Sequence, residues 1–177
     1  MNKVFMMYMV GISGSGKTTI ASLLEEELKK INVNNIQIID GDIIRKQFGN
    51  IFGYTFEERM KCNQAVRVVV EYLIKNNISV ILTQVGAYEV MRENMRKQFE
   101  GNYIEVYVKC SFEECVRRDV KNYYKKHLDG TMKNLNGADD VFEIPEKSHI
   151  IIDTEKESVK SGVEKIVKYL QEQGYGI

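Results

Sequence analysis

The chain has 177 residues, a size that suits one domain with a real core, and its 25 Lys and Arg balance its 25 Asp and Glu. That balance leaves no global field to attract nucleic acid or an anionic membrane, so neither is expected as a partner. No apolar run approaches the roughly 18 residues of a membrane span, and the N-terminus lacks a signal-peptide pattern, so a cytoplasmic protein is expected.

The stretch from Val4 to Val10 is apolar enough to be a strand buried on both faces. It runs into Gly11-Ile12-Ser13-Gly14-Ser15-Gly16-Lys17-Thr18, which fits GxxxxGKT at every fixed position. Ile20, Leu23, Leu24 and Leu28 then recur with helical spacing, so a helix begins near Lys17. A strand, a glycine-rich turn and a helix in that order form a P-loop. Its backbone N–H groups surround a phosphate, and the helix N-terminus adds roughly half a positive charge. Lys17 reaches the outer phosphates in such a loop, and the Thr18 hydroxyl holds Mg²⁺.

Ile36 to Asp40 reads as a second strand that ends at Asp40-Gly41-Asp42, where carboxylates face the ligand crevice of a parallel sheet. Asp42 is the best-placed carboxylate to serve an attacking hydroxyl, and Arg45, one helical turn on, can fork onto an acceptor phosphate. The plainer alternative makes Asp42 a helix N-cap and Arg45 a solvated side chain. A helical pattern follows from Phe56 to Lys75, then a strand over Ile78 to Thr83, a helix over Tyr88 to Phe99 and a strand over Tyr103 to Val108. Ser111-Phe112-Glu113-Glu114 has the spacing of a capping box. From Lys121 to Ile144 the periodicity fades while Lys, Tyr, Asn, Asp and Gly accumulate, which suggests a lid. Lys121, Lys125, Lys126 and His127 fit either that lid or an ordinary solvated helix face, and His149 reads as structural. A strand at Ile150 to Ile152 and a helix through Val159, Val163, Ile166, Val167 and Leu170 close the pattern. Alternating strands and helices predict an α/β fold with a mostly parallel sheet. Cys62, Cys110 and Cys115 are odd in number and lack CxxC spacing, so they read as reduced thiols. Pro145 is the only proline, and no Gly/Ser/Pro-rich linker divides residues 1–177.

A family resemblance rests on five segments in order: Gly11 through Thr19; Asp40-Gly41-Asp42-x-x-Arg45; Arg118-Asp119-Val120-Lys121-x-x-Tyr124-Lys125-Lys126; Asn136-Gly137-x-Asp139; and Phe142-Glu143-x-Pro145-Glu146. Together they resemble adenylyl-sulfate kinase over nearly the whole chain. The resemblance implies a three-layer P-loop NTPase fold with a five-stranded parallel sheet flanked by helices and a mobile lid from roughly 121 to 143. It implies transfer of phosphate from MgATP to the ribose 3′-hydroxyl of adenosine 5′-phosphosulfate, in a homodimer. ATP then falls to Gly11, Ser13, Gly14, Ser15, Gly16, Lys17, Thr18, Thr19 and Arg118, with Mg²⁺ at Thr18 and Asp42. Catalysis is assigned to Lys17 and Asp42. The nucleotide acceptor is assigned to Asp42, Arg45, Tyr54, Arg59, Asn63, Lys121, Lys133 and Leu135.

The departures from the family pattern gather on the acceptor side. After the second strand the family has Phe-Ser-x-x-Asp-Arg-x-x-Asn-Ile-Arg-Arg; here Tyr54 and Arg59 keep their places, Asn63 falls one place late, Gln64 follows it, and the arginine pair is absent. Where the family has Ser-Pro-Tyr-Arg, this chain has Gly86-Ala87-Tyr88-Glu89, which turns a cation into an anion. The lid Phe that stacks on the acceptor base in the family aligns with Leu135. These changes raise a second acceptor, cytidine diphosphoramidate, a precursor of phosphoramidate-decorated capsular polysaccharide. A P-loop kinase of a sugar acid or a nucleoside monophosphate, and a non-catalytic nucleotide-binding protein, are the remaining alternatives. The lid motifs speak against the first, and Lys17, Thr18 and Asp42 against the second.

Overall fold

The computed structural model describes residues 3–177; Met1 and Asn2 of the expected 1–177 unit lie outside the described residues. Five strands, β1 (Met6–Val10), β2 (Ile36–Asp40), β3 (Ser79–Thr83), β4 (Tyr103–Lys109) and β5 (Ile150–Asp153), form one sheet in the order β2-β3-β1-β4-β5. Every pairing is parallel. β1 is central and buried at every position, as its unbroken apolar run requires. Because strand side chains alternate, Met7 and Met9 enter one core and Met6, Tyr8 and Val10 the other.

Helices fill both faces and make three layers. On one face α1 (Lys17–Lys30) and α7 (Val159–Glu172) bury Ile20, Leu24 and Leu28 together with Val163, Ile166 and Leu170. On the other, α3 (Phe56–Lys75) and α4 (Glu89–Gln98) bury Cys62, Val66, Val70 and Met95. The chain leaves β1 toward the first face and β3 toward the second. Since β1 and β3 are neighbours, a crevice opens at their carboxyl ends, where open α/β sheets bind ligands.

Three short helices frame that crevice: α2 (Gly41–Gln47), α5 (Phe112–Arg118) and α6 (Tyr123–Leu128). The N-cap of α2 is Asp40, whose side chain accepts from Asp42 and Ile43 N–H; Asp42 is therefore not the cap. At α5 only half of the expected capping box forms. Ser111 accepts from Glu114 N–H, but Glu114 turns to Arg117 and Arg118, and Glu155 receives the Ser111 N–H instead. The complete box lies at α3, where Thr55 and Glu58 bond reciprocally. The aperiodic stretch after Lys121 contains α6, which escapes notice in the sequence because it is a single turn and a half and opens on Asn122 in a left-handed conformation. Asp119 satisfies its free N–H groups at Tyr124 (3.1 Å) and Lys125 (2.9 Å).

Burial and capping set the expected stabilities. Leu24 is fully enclosed by α7 and the sheet, so Leu24→Ala should cost about 3 kcal/mol. Thr55→Ala removes an exposed cap and should cost about 1 kcal/mol. Urea unfolding of both variants checks the order; equal costs would contradict this account of the core.

Candidate active site

The P-loop turns between β1 and α1 because its glycines accept backbone geometry closed to other residues. At Gly11, with φ of +151°, a Cβ would fall onto the Val108 carbonyl of β4. The loop is pinned from outside: Gly11 N–H donates to Val85 O (3.1 Å), and Tyr124 Oη donates to Ser13 O (2.8 Å). Lys17 folds back, so its ammonium donates to Gly11 O (2.7 Å) and Ile12 O (2.9 Å). Burial, reinforced by the charge of Lys121 and opposed by Asp42, lowers its pKa to about 8. Gly11 and Ser15 are interior parts of this loop, whereas Ser13, Gly14, Gly16, Lys17, Thr18 and Thr19 line a cavity of about 340 Å³.

Asp40, at the end of β2, organises the next layer. Its Oδ2 accepts from Thr18 Oγ1 (2.9 Å) and Thr83 Oγ1 (3.0 Å), while Oδ1 accepts from Asp42 N–H (2.8 Å). Burial alone would raise its pKa. The Asp42 amide, the Thr18 hydroxyl, the Lys121 charge and the Thr83 hydroxyl outweigh that and hold the carboxyl below the ordinary range. The only mark of Asp40 in the sequence is its place at the end of a parallel strand, where side chains reach the ligand crevice. Asp42 lies one residue beyond Gly41 and forms an ion pair with Lys121 from the start of the expected lid. Oxygen donors on Thr18, Asp40 and Asp42 are of the kind Mg²⁺ takes, with phosphates and water completing its shell.

Beyond Asp42 the cavity is walled by Arg45, Tyr54, Arg59, Ala87, Met91, Leu135 and Asn136. Two guanidinium groups approach the Tyr54 ring, Arg45 at 5.0 Å and Arg59 at 5.3 Å from its centre. Arg45 is held by the Phe52 and Gly53 carbonyls. Arg59 is buried and donates to Tyr54 O (2.8 Å) and Asn134 O (2.6 Å), joining α3 to the expected lid. At the opposite end Arg118 donates to both Thr154 O and Thr154 Oγ1 (3.1 Å each) and lies against Gly14 O. It therefore ties α5 to the P-loop and to the turn after β5.

Besides Gly11 and Ser15, two expected site residues do not reach the cavity. Lys133 is exposed and outside its lining. Asn63 is buried in α3 with neither amide atom hydrogen-bonded; it sits beside the Tyr8 hydroxyl, which donates to Gln84 Oε1 (3.2 Å) on the cavity wall. Gln64 is exposed on α3. Glu89 was expected as an anion on the acceptor side, but it turns away from the cavity. Its carboxylate pairs with Arg92 (2.8 Å), Arg96 (3.4 Å) and Lys147 (3.6 Å). Arg92 is fully buried, donates to Gly86 O (2.6 Å), and needs that counter-charge. The one missed residue that lines the cavity with an aromatic ring is Tyr123, next to Tyr124 in the quoted motif.

The expected lid carries several internal ties. Asp139 accepts from Asn134 N–H (3.0 Å) and Leu135 N–H (2.7 Å), and Asn136 donates to Asp140 (2.8 Å) and Val141 O (2.7 Å). His127 rests on Met132 O (3.2 Å). His149, at the opposite end of the sheet, accepts from Glu105 N–H (3.0 Å). Among the described residues no helix is long and apolar enough to cross a membrane.

Comparison with known proteins gives a consistent answer. A profile of the adenylylsulphate kinase family matches residues 3–153. The adenylyl-sulfate kinase of Staphylococcus carnosus is 36% identical over 97% of this chain and 86% of its own length. That of Picosynechococcus is 34% identical over 96% of this chain and 94% of its own. The fold superposes with a TM-score of 0.90 on the Mycobacterium tuberculosis APS kinase solved with AMPPNP and APS, at 21% identity and covering 97% and 99% of the two chains. The P-loop, the carboxylates after β2 and the profile match over most of the chain agree: this chain belongs to the adenylyl-sulfate kinase family.

Proposed function

We propose that the chain phosphorylates the ribose 3′-hydroxyl of adenosine 5′-phosphosulfate with MgATP. The observation that carries this reading is one continuous cavity with a P-loop at one end, two arginines around Tyr54 at the other, and Asp42 between them. Lys17 and the P-loop amides bind the ATP phosphates, with Arg118 beside the nucleoside end. Thr18 with Asp40 or Asp42 would hold Mg²⁺, which neutralises charge on the transferred phosphoryl group when bound. Arg45 and Arg59 face the anionic 5′ side of the acceptor, with Tyr54 against its base. Asp42 accepts the 3′-hydroxyl proton as the oxygen bonds the γ-phosphorus and the bond from that phosphorus to the β,γ-bridging oxygen breaks, releasing ADP. Phosphates draw Lys121 off Asp42, so nucleotide binding frees the base that the reaction needs. Residues 121–143 act as the lid over this exchange. A homodimer in the cytoplasm completes the reading, with the exposed Val68, Val69 and Tyr72 of α3 as an available apolar face.

A second acceptor, cytidine diphosphoramidate, is favoured by one feature, the aliphatic Leu135 in the cavity wall. Gln64 and Glu89 do not bear on it, since neither faces the cavity.

ADP release with MgATP and a panel of adenosine 5′-phosphosulfate, cytidine diphosphoramidate, gluconate and nucleoside monophosphates tests the reading. Turnover is expected with adenosine 5′-phosphosulfate; turnover confined to the cytidine compound replaces the acceptor, and turnover confined to gluconate overturns the proposal.

Variants separate the roles. Asp42→Asn should lower kcat by about 100-fold or more. Arg45→Ala should raise the acceptor KM by about tenfold or more while leaving the ATP KM near the parent's. A rise in the ATP KM alone would put Arg45 on the wrong side of the site.

Lys17 gives a pH signature. With a pKa of about 8 in the free chain, its ammonium is mostly neutral at about pH 9 and mostly charged at about pH 7. Bound phosphates raise that pKa, so ATP binding should take up close to one proton at the higher pH and almost none at the lower. Calorimetry in buffers of different ionisation enthalpy reads the difference, and Lys17→Arg should abolish it.

A further inference from the structure

No motif marks Gln84, yet its side chain lies on the wall of the cavity. The register of β2 on β3 pairs Asp40 with Thr83, so the residues that follow, Gly41 and Gln84, stand side by side at the carboxyl edge of the sheet. Strand alternation then sends the two β3 residues to opposite faces. Thr83 shares the face of Ile81 and reaches Asp40, which also holds Thr18 of α1. Gln84 shares the face of Leu82, the side of the sheet that α3 covers and from which Arg59 enters the cavity. A Cβ on Gly41 would come within 2.6 Å of Gln84 Cγ and 3.3 Å of Gln84 Nε2. The glutamine is therefore laid over Gly41, which lacks the atom that would push it aside.

The orientation of its amide is set from below. Tyr8, fully buried in the central strand, donates its hydroxyl to Gln84 Oε1 (3.2 Å), the one hydrogen bond that hydroxyl makes among the described residues. The reverse orientation of the amide would leave a buried hydroxyl proton without an acceptor, which is the costlier state. With its carbonyl end turned to Tyr8, the amide leaves Nε2 and its two N–H groups without a partner among the described residues, on the wall of the cavity. The carboxylates on either side of Gly41 are engaged elsewhere, Asp40 by Thr18 and Thr83 and Asp42 by Lys121. From this geometry we infer that Gln84 is a specificity residue for the acceptor nucleotide: its Nε2 donates to a lone pair of that molecule, and Tyr8 is the positioning residue that holds the amide for it. A fixed neutral donor rejects an N–H or an apolar atom at the same place, because either would leave the amide unpaired. The inference rests on the reading of this cavity end as the acceptor site.

The test is steady-state kinetics with MgATP and adenosine 5′-phosphosulfate on the full chain. Gln84→Met keeps the length of the side chain and removes the donor; it should raise the acceptor KM about fivefold or more, with the ATP KM unchanged. Gln84→Glu keeps both the shape and the bond from Tyr8 but has no N–H to give, so it should raise the acceptor KM at least as far and carries the test even if Gln84→Met unfolds. Tyr8→Phe frees the amide to turn and should raise the same KM by less. The double variant of Tyr8→Phe with Gln84→Met should be no worse than Gln84→Met alone, because Tyr8 acts on the substrate only through the amide. Losses that add in the double variant overturn the role given to Tyr8. An acceptor KM within twofold of the parent in the Gln84 variants overturns the inference while leaving the proposed function standing. Equal rises in both KM values overturn it too, because they mark a structural role. A parent that turns over no nucleotide acceptor overturns the functional reading and this inference with it.

Discussion

The site depends on the Asp40 carboxylate. Its two oxygens join three segments that the chain otherwise delivers separately: the first turn of α1 through Thr18, the end of β3 through Thr83, and the start of α2 through the Asp42 amide. A half-buried carboxylate is costly unless its lone pairs are met, and here they are met by donors from every direction. Because Asp40 caps α2, it also sets where Asp42 and Arg45 emerge. Removing its charge would loosen the P-loop helix and displace both side chains that follow.

The same economy governs the cations. Lys17 rests on its loop's own carbonyls, Lys121 on Asp42, Arg118 on Thr154, and Arg45 on Phe52 and Gly53. Cations gathered in a partly enclosed site need counter-groups, and each of these has one within the chain. Binding a polyanion is then an exchange of partners, and its affinity is the difference between two satisfied states. In the proposed reaction that exchange also couples the two ends of the site, because a phosphate that takes Lys121 leaves Asp42 open.

The central strand and the P-loop were legible because they depend on local chemistry: an unbroken apolar run, glycines at fixed spacing, and helical periodicity after Lys17. The three-layer sheet followed from alternation. What escaped was set by contacts distant in sequence. Asp40 rather than Asp42 caps α2 because the β2 end is fixed by β3, through Thr83, forty-three residues on. Glu114 abandons its capping partner because Arg117 and Arg118 bind it, and Glu155 takes its place only once β5 is built. α6 is too short for periodicity, and its cap comes from Asp119, outside the helix.

Position 89 shows how far a substitution can be judged without coordinates. Read along the chain, a glutamate where relatives carry a cation implied a reversed charge at the acceptor. In three dimensions its carboxylate faces away from the cavity and neutralises Arg92, which in turn holds the Gly86 carbonyl at the cavity's edge. Gly86 itself adopts φ of +59°, and a Cβ there would strike Val10 of β1, so this loop packs close against the central strand while it lines the cavity. The charge at 89 thus bears on the shape of the wall and leaves its polarity alone. The chemical character of the proposed acceptor end comes chiefly from groups that line the cavity: two guanidinium groups, two tyrosines and one leucine.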